Sequence, residues 1–535
     1  MTDVVVVGAG INGMVAAARL AGAGRSVTLL DAADELGGFI GSGERTVPGY
    51  VHDTWSSWHP LFVTGPAFAE LGDDLARHGL AYANTDGPLT ATVPDDGSPT
   101  IAYRDVEETV KGFADPDDAE AYRAMIAGFG RDVGALGTLL GSELWSPAVG
   151  KPLFSLLRSA GRRGAAAYAR DALTSGRSWL RGRFTGVEVD RLWAPWLLHA
   201  GLAPDAASGG AMVPVFAATM HGAGLPVVVG GAGRFVDAFA ALLAERGVDV
   251  RLGRRVERIV VRGGRAVGVE GDGFSVRADA VLASVAPGAL YTELLPSGVV
   301  PARIAEEARS YRPGRAAMQI HVALSGPVPW RDPALREVPL VHLTDGSSST
   351  GIACAEAEAG LLPRRPTVVV GQQHVLDPSR VPAGCAALWL QLQEVPSRPV
   401  GDAAGVLDVG SGEWTPALAR AYADRVLDRV AARAPGLREL VVGVKGERSD
   451  GRTGIDVISP ADLEGRNPNA IGGDPYAGSA ELDQNFAWRP LPSAGRHRTC
   501  VPGLWHLGAS THPGPGLGGA SGHLVAEALL GRRRA

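Results

Sequence analysis

Residues 1–31 read MTDVVVVGAGINGMVAAARLAGAGRSVTLLD, and few folds accept such a run. Four successive valines read as a buried parallel strand. Gly8, Gly10 and Gly13 follow directly with G-x-G-x-x-G spacing. The first glycine permits the tight turn, the second lets a phosphate approach the backbone, and the third lets the helix lie close on the sheet. MVAAARLAGAG supplies that helix, its positive end toward the phosphates. SVTLLD then forms a second strand ending in Asp31, a carboxylate placed to hold ribose hydroxyls. Strand, helix and acid together turn a weak glycine pattern into a dinucleotide site. NAD and FAD are both compatible with it.

A chain of 535 residues exceeds one compact core, so at least two domains are expected. Its 45% hydrophobic and 20% charged content is that of a soluble globular protein, and a net charge of −6 gives nucleic acid no footing. Cys354, Cys385 and Cys500 lie far apart without metal or redox spacing. A disulfide framework, a zinc site and a C-x-x-C centre are therefore not expected. No apolar run approaches a membrane span, and the first strand starts almost at Met1, leaving no room for a signal peptide. A cytoplasmic protein is expected.

From about Asp115 to Gly201 the pattern is mostly helical, and strand-like runs such as MQIHVALSG and ALWLQLQEV predict a second sheet between Pro313 and Val395. VVVGGAGRF invites a second dinucleotide reading. Gly231 and Gly233 are followed by Val236 where the third glycine should fall, and the next strand, VDVRLG, does not end in an acid. A turn with close helix packing is the better reading, so a separate NADPH site is not expected.

Asp31 is followed by AADELGG, which with the opening resembles the two-dinucleotide-binding motif of FAD enzymes. The G-x-G-x-N-G variant with Asn12, followed by MVAAARLA, is similar to the phytoene desaturase-related flavoproteins. Near the C-terminus, GGDPYAGSAELDQNFAWRPLP and PGLWHLGASTHPGPGLGGASG resemble the phytoene-dehydrogenase-like oxidoreductases, including the pyridine nucleotide-disulfide oxidoreductase domain proteins. The likeness is clearest at both ends and over residues 230–286. It implies an α/β fold of the amine oxidase and phytoene desaturase type. A discontinuous Rossmann-like FAD-binding domain would comprise residues 1–85, 215–300 and 480–535, with an inserted α+β substrate domain from 86–214 and 301–479.

Carried onto this chain, the resemblance places Gly8, Gly10, Asn12 and Gly13 around the pyrophosphate and Asp31 at the adenosine ribose. Gly37 and Gly38 would lie along the FAD, and Val256 would meet the adenine through its backbone. Gly508 would end the last strand under the ribitol. Gly518, Gly519 and Ala520 would start a helix facing the pyrimidine edge of the flavin. Phe39 stands where several relatives carry Arg after the glycine doublet, which removes a charged phosphate contact. Cys500 precedes the C-terminal motif in a polar stretch, so noncovalent FAD is expected.

The implied activity is an FAD-dependent dehydrogenase or desaturase that introduces, removes or moves a carbon–carbon double bond in a largely apolar molecule. Hydride would pass to flavin N5, with oxygen or a quinone as electron acceptor. His512 is the first candidate for a polar group near the ring, or else a loop histidine capping backbone. His52 and His59 flank DTWSSW, where a structural role is the simpler reading, and Trp55 and Trp58 would either stack on substrate or pack in the core. His506 and His512 lack acidic or thiol companions, so no metal site is expected. The stretch 151–183 carries Lys151, Arg158, Arg162, Arg163, Arg170, Arg177, Arg181 and Arg183. It would dock on an anionic membrane or form an ordinary solvated face, the latter being simpler. An amine or amino-acid oxidase on the same fold, and a flavin-binding protein acting through a partner without turnover, are the alternatives.

Overall fold

The computed structural model describes residues 2–443 and 453–531, and its main strands form two seven-stranded sheets. In chain order these strands are β1 (Thr2–Val7), β2 (Val27–Leu30), β3 (Pro88–Val93), β4 (Thr100–Tyr103), β5 (Asp249–Arg251), β6 (Arg258–Arg262) and β7 (Arg265–Gly271). They continue as β8 (Phe274–Ala283), β9 (Ala316–Leu324), β10 (Leu340–Leu343), β11 (Val368–Gly371), β12 (Ala386–Val395), β13 (Ile455–Ile458) and β14 (Leu504–His506). Helices around them include α1 (Ile11–Gly22), α2 (Pro116–Leu140), α3 (Gly150–Leu173), α4 (Gly209–Ala223), α5 (Gly233–Glu245), α6 (Pro416–Ala431) and α7 (Ala520–Gly531).

The first sheet runs β6-β7-β8-β1-β2-β5, with β14 also paired to β8. β1 is parallel to β8 and β2, setting Val5 opposite Val281 and Thr28. Parallel strands covered on both faces are apolar throughout, which accounts for VVVV rather than an alternating pattern. Val5 and Val6 are fully buried. One face packs against α1, α5 and α7 through Val6, Met14, Leu29, Phe235, Phe239 and Val525.

The second sheet runs β13-β9-β12-β11-β10-β3-β4 and is antiparallel except where β10 meets β3. Alternation along β9 and β12 separates its two faces. Met318, Ile320 and Val322 join Leu388, Leu390 and Leu392 in a core with Tyr422 and Val426 of α6. On the opposite face, His321 Nε2 lies 2.9 Å from the Asp53 carbonyl oxygen, and Trp389 meets Trp58 edge-on. That face is therefore turned toward the segment following the N-terminal motif.

The glycine turn before α5 is held by protein side chains. The amides of Gly230, Ala232 and Gly233 donate to Asp377 (2.7 Å), Asp53 (2.7 Å) and the Ser42 hydroxyl (2.8 Å). Carboxylates and a hydroxyl thus occupy the amides that a phosphate would require. In the arginine-rich stretch, Lys151, Arg158, Arg170 and Arg181 are exposed. Arg177 pairs with Asp205 and Arg183 with Asp171, so two of its cations are already committed. The side chains of Arg162 and Arg163 lie outside the described residues. Among the described residues, no helix is long and apolar enough to cross a membrane.

Candidate flavin and substrate site

A Cβ at Gly13 would sit 1.9 Å from the Gly8 carbonyl oxygen, so only glycine lets α1 close onto the β1 turn. Gly10 is different. It heads α1 with no side chain capping the helix, and a Cβ on it would meet nothing within 4 Å. An uncapped helix start with bare backbone in front of it matches what a pyrophosphate requires. Asp31 accepts from the Ala9 amide at 2.6 Å and the Ala33 amide at 2.8 Å, bracing the turn beside β2. The Arg254 amide donates to the Asp31 carbonyl at 2.7 Å, which brings the segment leading to Val256 alongside. Val256 itself is buried with Val5, Val7 and Leu30.

Gly37 bridges to Gly10, and a Cβ on Gly38 would stand 3.2 Å from the Gly10 Cα. Gly508 follows β14 at φ +118°, and Gly518 and Gly519 lead into α7. Asn12 Oδ1 accepts the Gly522 amide at 3.2 Å, tying α7 to α1. Gly10, Asn12, Gly37, Gly38, Gly508 and the run Gly518–Ala520 converge on one cavity of about 610 Å³, whereas Gly8, Gly13, Asp31 and Val256 do not line it. Two helix starts and a row of glycines from both ends of the chain form a cradle that fits FAD. Phe39 lines the same cavity and meets Trp55 edge-on, with ring centroids 6.2 Å apart.

The three candidate histidines, His52, His59 and His512, are all buried. His52 Nε2 lies 2.9 Å from the Thr46 hydroxyl and its ring packs near His321. His59 Nδ1 lies 3.1 Å from Tyr82 Oη, with the ring against Phe235. Burial lowers both imidazoles, His59 to about 4. Neither lines the cavity, because both serve as internal polar joints. His512 is buried with its carbonyl 2.9 Å from His497 Nε2, and its side chain is not part of the cavity wall, although Ser510 and Pro513 are. His506 Nε2 lies 2.8 Å from the Val285 carbonyl oxygen, and among the described residues no group of three His, Cys, Asp or Glu could hold a metal. The cysteines are unbridged.

Trp55 and Trp58 both line the cavity. Trp58 stands edge-on to Trp389, centroids 5.3 Å apart. The rest of the wall comes from residues that local motifs did not reveal. Trp196 and His199, just before α4, stack at 4.5 Å, and His199 Nε2 is 3.1 Å from His342 Nε2 on β10. Burial pulls His199 down to about 3 and His342 well below the usual imidazole range, so the pair is neutral. Gln319 on β9 and Gln391 and Gln393 on β12 share the cavity wall with Tyr476. Gln393 Nε2 donates to Gln391 Oε1 at 3.0 Å and to Tyr476 Oη at 2.8 Å. The signal for these glutamines was present in MQIHVAL and ALWLQLQEV, where polar residues interrupt a buried strand at every second position.

The family described as flavin containing amine oxidoreductase matches residues 11–367, more than half of the chain. Pyridine nucleotide-disulfide oxidoreductase domain-containing protein 2 of Rattus norvegicus is 27% identical, covering 99% of this chain and 93% of the rat protein. Hydroxyneurosporene desaturase of Cereibacter sphaeroides is 28% identical, covering 98% and 97% respectively. Among solved structures, cyclohexylamine oxidase of Brevibacterium oxydans superposes with a TM-score of 0.59 over the full length of both chains at 16% identity, a likeness of fold. With the glycine cradle at both chain ends and the family match between them, the chain belongs to the flavin-containing amine oxidoreductase family and is an FAD-dependent oxidoreductase.

Proposed function

We propose that the protein makes, removes or moves a carbon–carbon double bond in an uncharged, largely apolar small molecule. FAD, when bound, supplies the hydride-accepting or hydride-donating ring for such a bond. The observation that carries the reading is the chemistry of the cavity wall. It is built from Trp55, Trp58, Trp196, Trp389, Phe216 and Met212, and its polar side chains are carboxamides, hydroxyls and a neutral imidazole. An ammonium or carboxylate entering it would be desolvated without a countercharge, which is strongly unfavourable. An apolar skeleton gains about 25 cal/mol for each Å² it buries there.

The wall also suits the order of events. Aromatic faces exclude water and fix the skeleton, which limits the carbons presented to the flavin. His199 is neutral, reaches the cavity and shares a hydrogen bond with His342, so it adds a polar but uncharged group to the wall. The likeness to a hydroxyneurosporene desaturase supports carbon–carbon chemistry. The fold shared with cyclohexylamine oxidase supports amine oxidation as a second reading, for which the aromatic walls would have to serve as the amine cage.

The purified flavoprotein, mixed anaerobically with a neutral lipid fraction, is expected to lose its oxidised visible band, or to regain it when mixed in the reduced form. The same protein is expected to be inert toward a panel of primary and secondary amines. Bleaching by amines alone, with hydrogen peroxide released in air, would overturn the proposal in favour of the second reading.

A further inference from the structure

We propose that the substrate carries one hydroxyl group on its apolar skeleton, and that Gln319 is the residue that reads it. This rests on the neutral-substrate reading above and narrows it. Gln319 lies in a strand whose alternate residues, Met318, Ile320 and Val322, are core. It is 1% exposed, and neither its Oε1 nor its Nε2 has a hydrogen-bond partner. A buried carboxamide with both ends unsatisfied destabilises a fold, and a leucine at the same position would not. A position of that kind on a cavity wall points to a ligand that completes it.

The neighbours define the ligand. Gln391 is directly opposite Gln319 in the β9–β12 register, and Gln393 lies two residues further along β12. Gln393 spends its Nε2 on Gln391 and Tyr476, and its Oε1 is left without a partner. The patch therefore offers both an acceptor pair, Gln319 Oε1 and Gln393 Oε1, and the Gln319 Nε2 donor, within a wall that carries no fixed charge among its described residues. A hydroxyl both donates and accepts, so one such group satisfies both ends of Gln319. A carbonyl would leave Oε1 unpaired, and a carboxylate would face two acceptor oxygens. No hydrogen bond fixes the Gln319 amide in one orientation.

The test is a binding series on one skeleton: decane, 1-decanol, decanoate and decylammonium, each titrated into the flavoprotein and followed by perturbation of its visible spectrum. 1-Decanol is expected to bind about tenfold more tightly than decane, and both charged heads more weakly than decane. In Gln319→Met the alcohol advantage is expected to vanish while decane affinity and flavin content are retained, and thermal stability is expected to rise because an unpartnered amide has been removed. Gln319→Asn keeps the amide but withdraws it by one methylene. It should also lose most of the advantage, and it covers the case of a Met variant that does not fold. Equal binding of decane and 1-decanol by the parent protein, or an alcohol advantage that survives in the variants, overturns the proposal alone. Loss of flavin from Gln319→Met also overturns it, by assigning the amide to the cofactor. Preference for decylammonium, or no binding by any member of the series, overturns the neutral-substrate reading as well.

Discussion

At the scale of single residues, Gly10 and Gly13 share one motif yet respond oppositely to an added methyl group. An alanine Cβ at position 13 would lie 1.9 Å from a backbone oxygen, and backbone cannot yield as a side-chain tip can. Gly13→Ala is expected to prevent folding. Gly10 sits at φ −67°, where any residue is at ease, with open space in front of it. Gly10→Ala is expected to fold with the circular dichroism and melting temperature of the flavin-free parent, yet to retain less than about a tenth of its flavin, because the methyl stands where the backbone must admit a phosphate. Parent-like flavin content in Gly10→Ala, read from the visible spectrum against protein concentration, would show that the pyrophosphate lies elsewhere.

At the scale of one element, β12 carries a different consequence of alternation. Its cavity-side residues include Trp389 and Gln391, while Glu394 is completely buried. The Glu394 carboxyl accepts from the Thr367 amide at 2.5 Å and the Gln393 amide at 3.1 Å, but loss of hydration outweighs these bonds and raises it to about 7. An unfolded chain releases this proton near 4.5, so between about 4.5 and 7 the folded state holds a proton that the unfolded state has lost. Stability therefore falls as pH rises through that window and levels off above it, by about 3 kcal/mol in all. Glu394→Gln cannot titrate. The difference in stability, variant minus parent, is expected to climb between pH 4.5 and 7 and then stay flat. A difference independent of pH, in urea melts across that range, would show that Glu394 keeps one protonation state throughout.

At the scale of the whole molecule, what the sequence revealed depended on how locally each feature is specified. The β1–α1–β2 unit, the glycine doublet and α7 were legible because turn, helix and strand signals lie within some forty residues. The helical run containing α2 and α3 showed itself in the same way. The glutamine patch was not legible as a site, since Gln319 and Gln391 meet only through the register of β9 and β12. His52 and His59 invited a catalytic reading beside the simpler structural one for the converse reason. They sit next to the cofactor motif in sequence, but tertiary packing turns them into the interior.

The most non-local feature is the joint that aligns the two halves of the cavity. Arg380, 2% exposed, lies 2.7 Å from Asp53 Oδ2 and 3.1 Å from Asp377 Oδ2, and it donates to the Val228 carbonyl at 2.6 Å. Asp53 also accepts the Ala232 amide before α5, and its own carbonyl lies 2.9 Å from His321 Nε2 on β9. The guanidinium thus fastens the loop bearing Trp55 and Trp58 to the flavin-side turn, and the Asp53 carbonyl ties the same loop to the second sheet. Arg380→Met leaves two buried carboxylates without their cation and is expected to destabilise by about 3–5 kcal/mol. Asp53→Asn is expected to be harmful alone, but the double variant should lose less than the sum of the two, because one change removes the charge that the other strands. The measurement is a double-mutant cycle by urea unfolding. Additive losses would mean that Arg380 and Asp53 act separately, and that the joint is held by Asp377 and the backbone bonds instead.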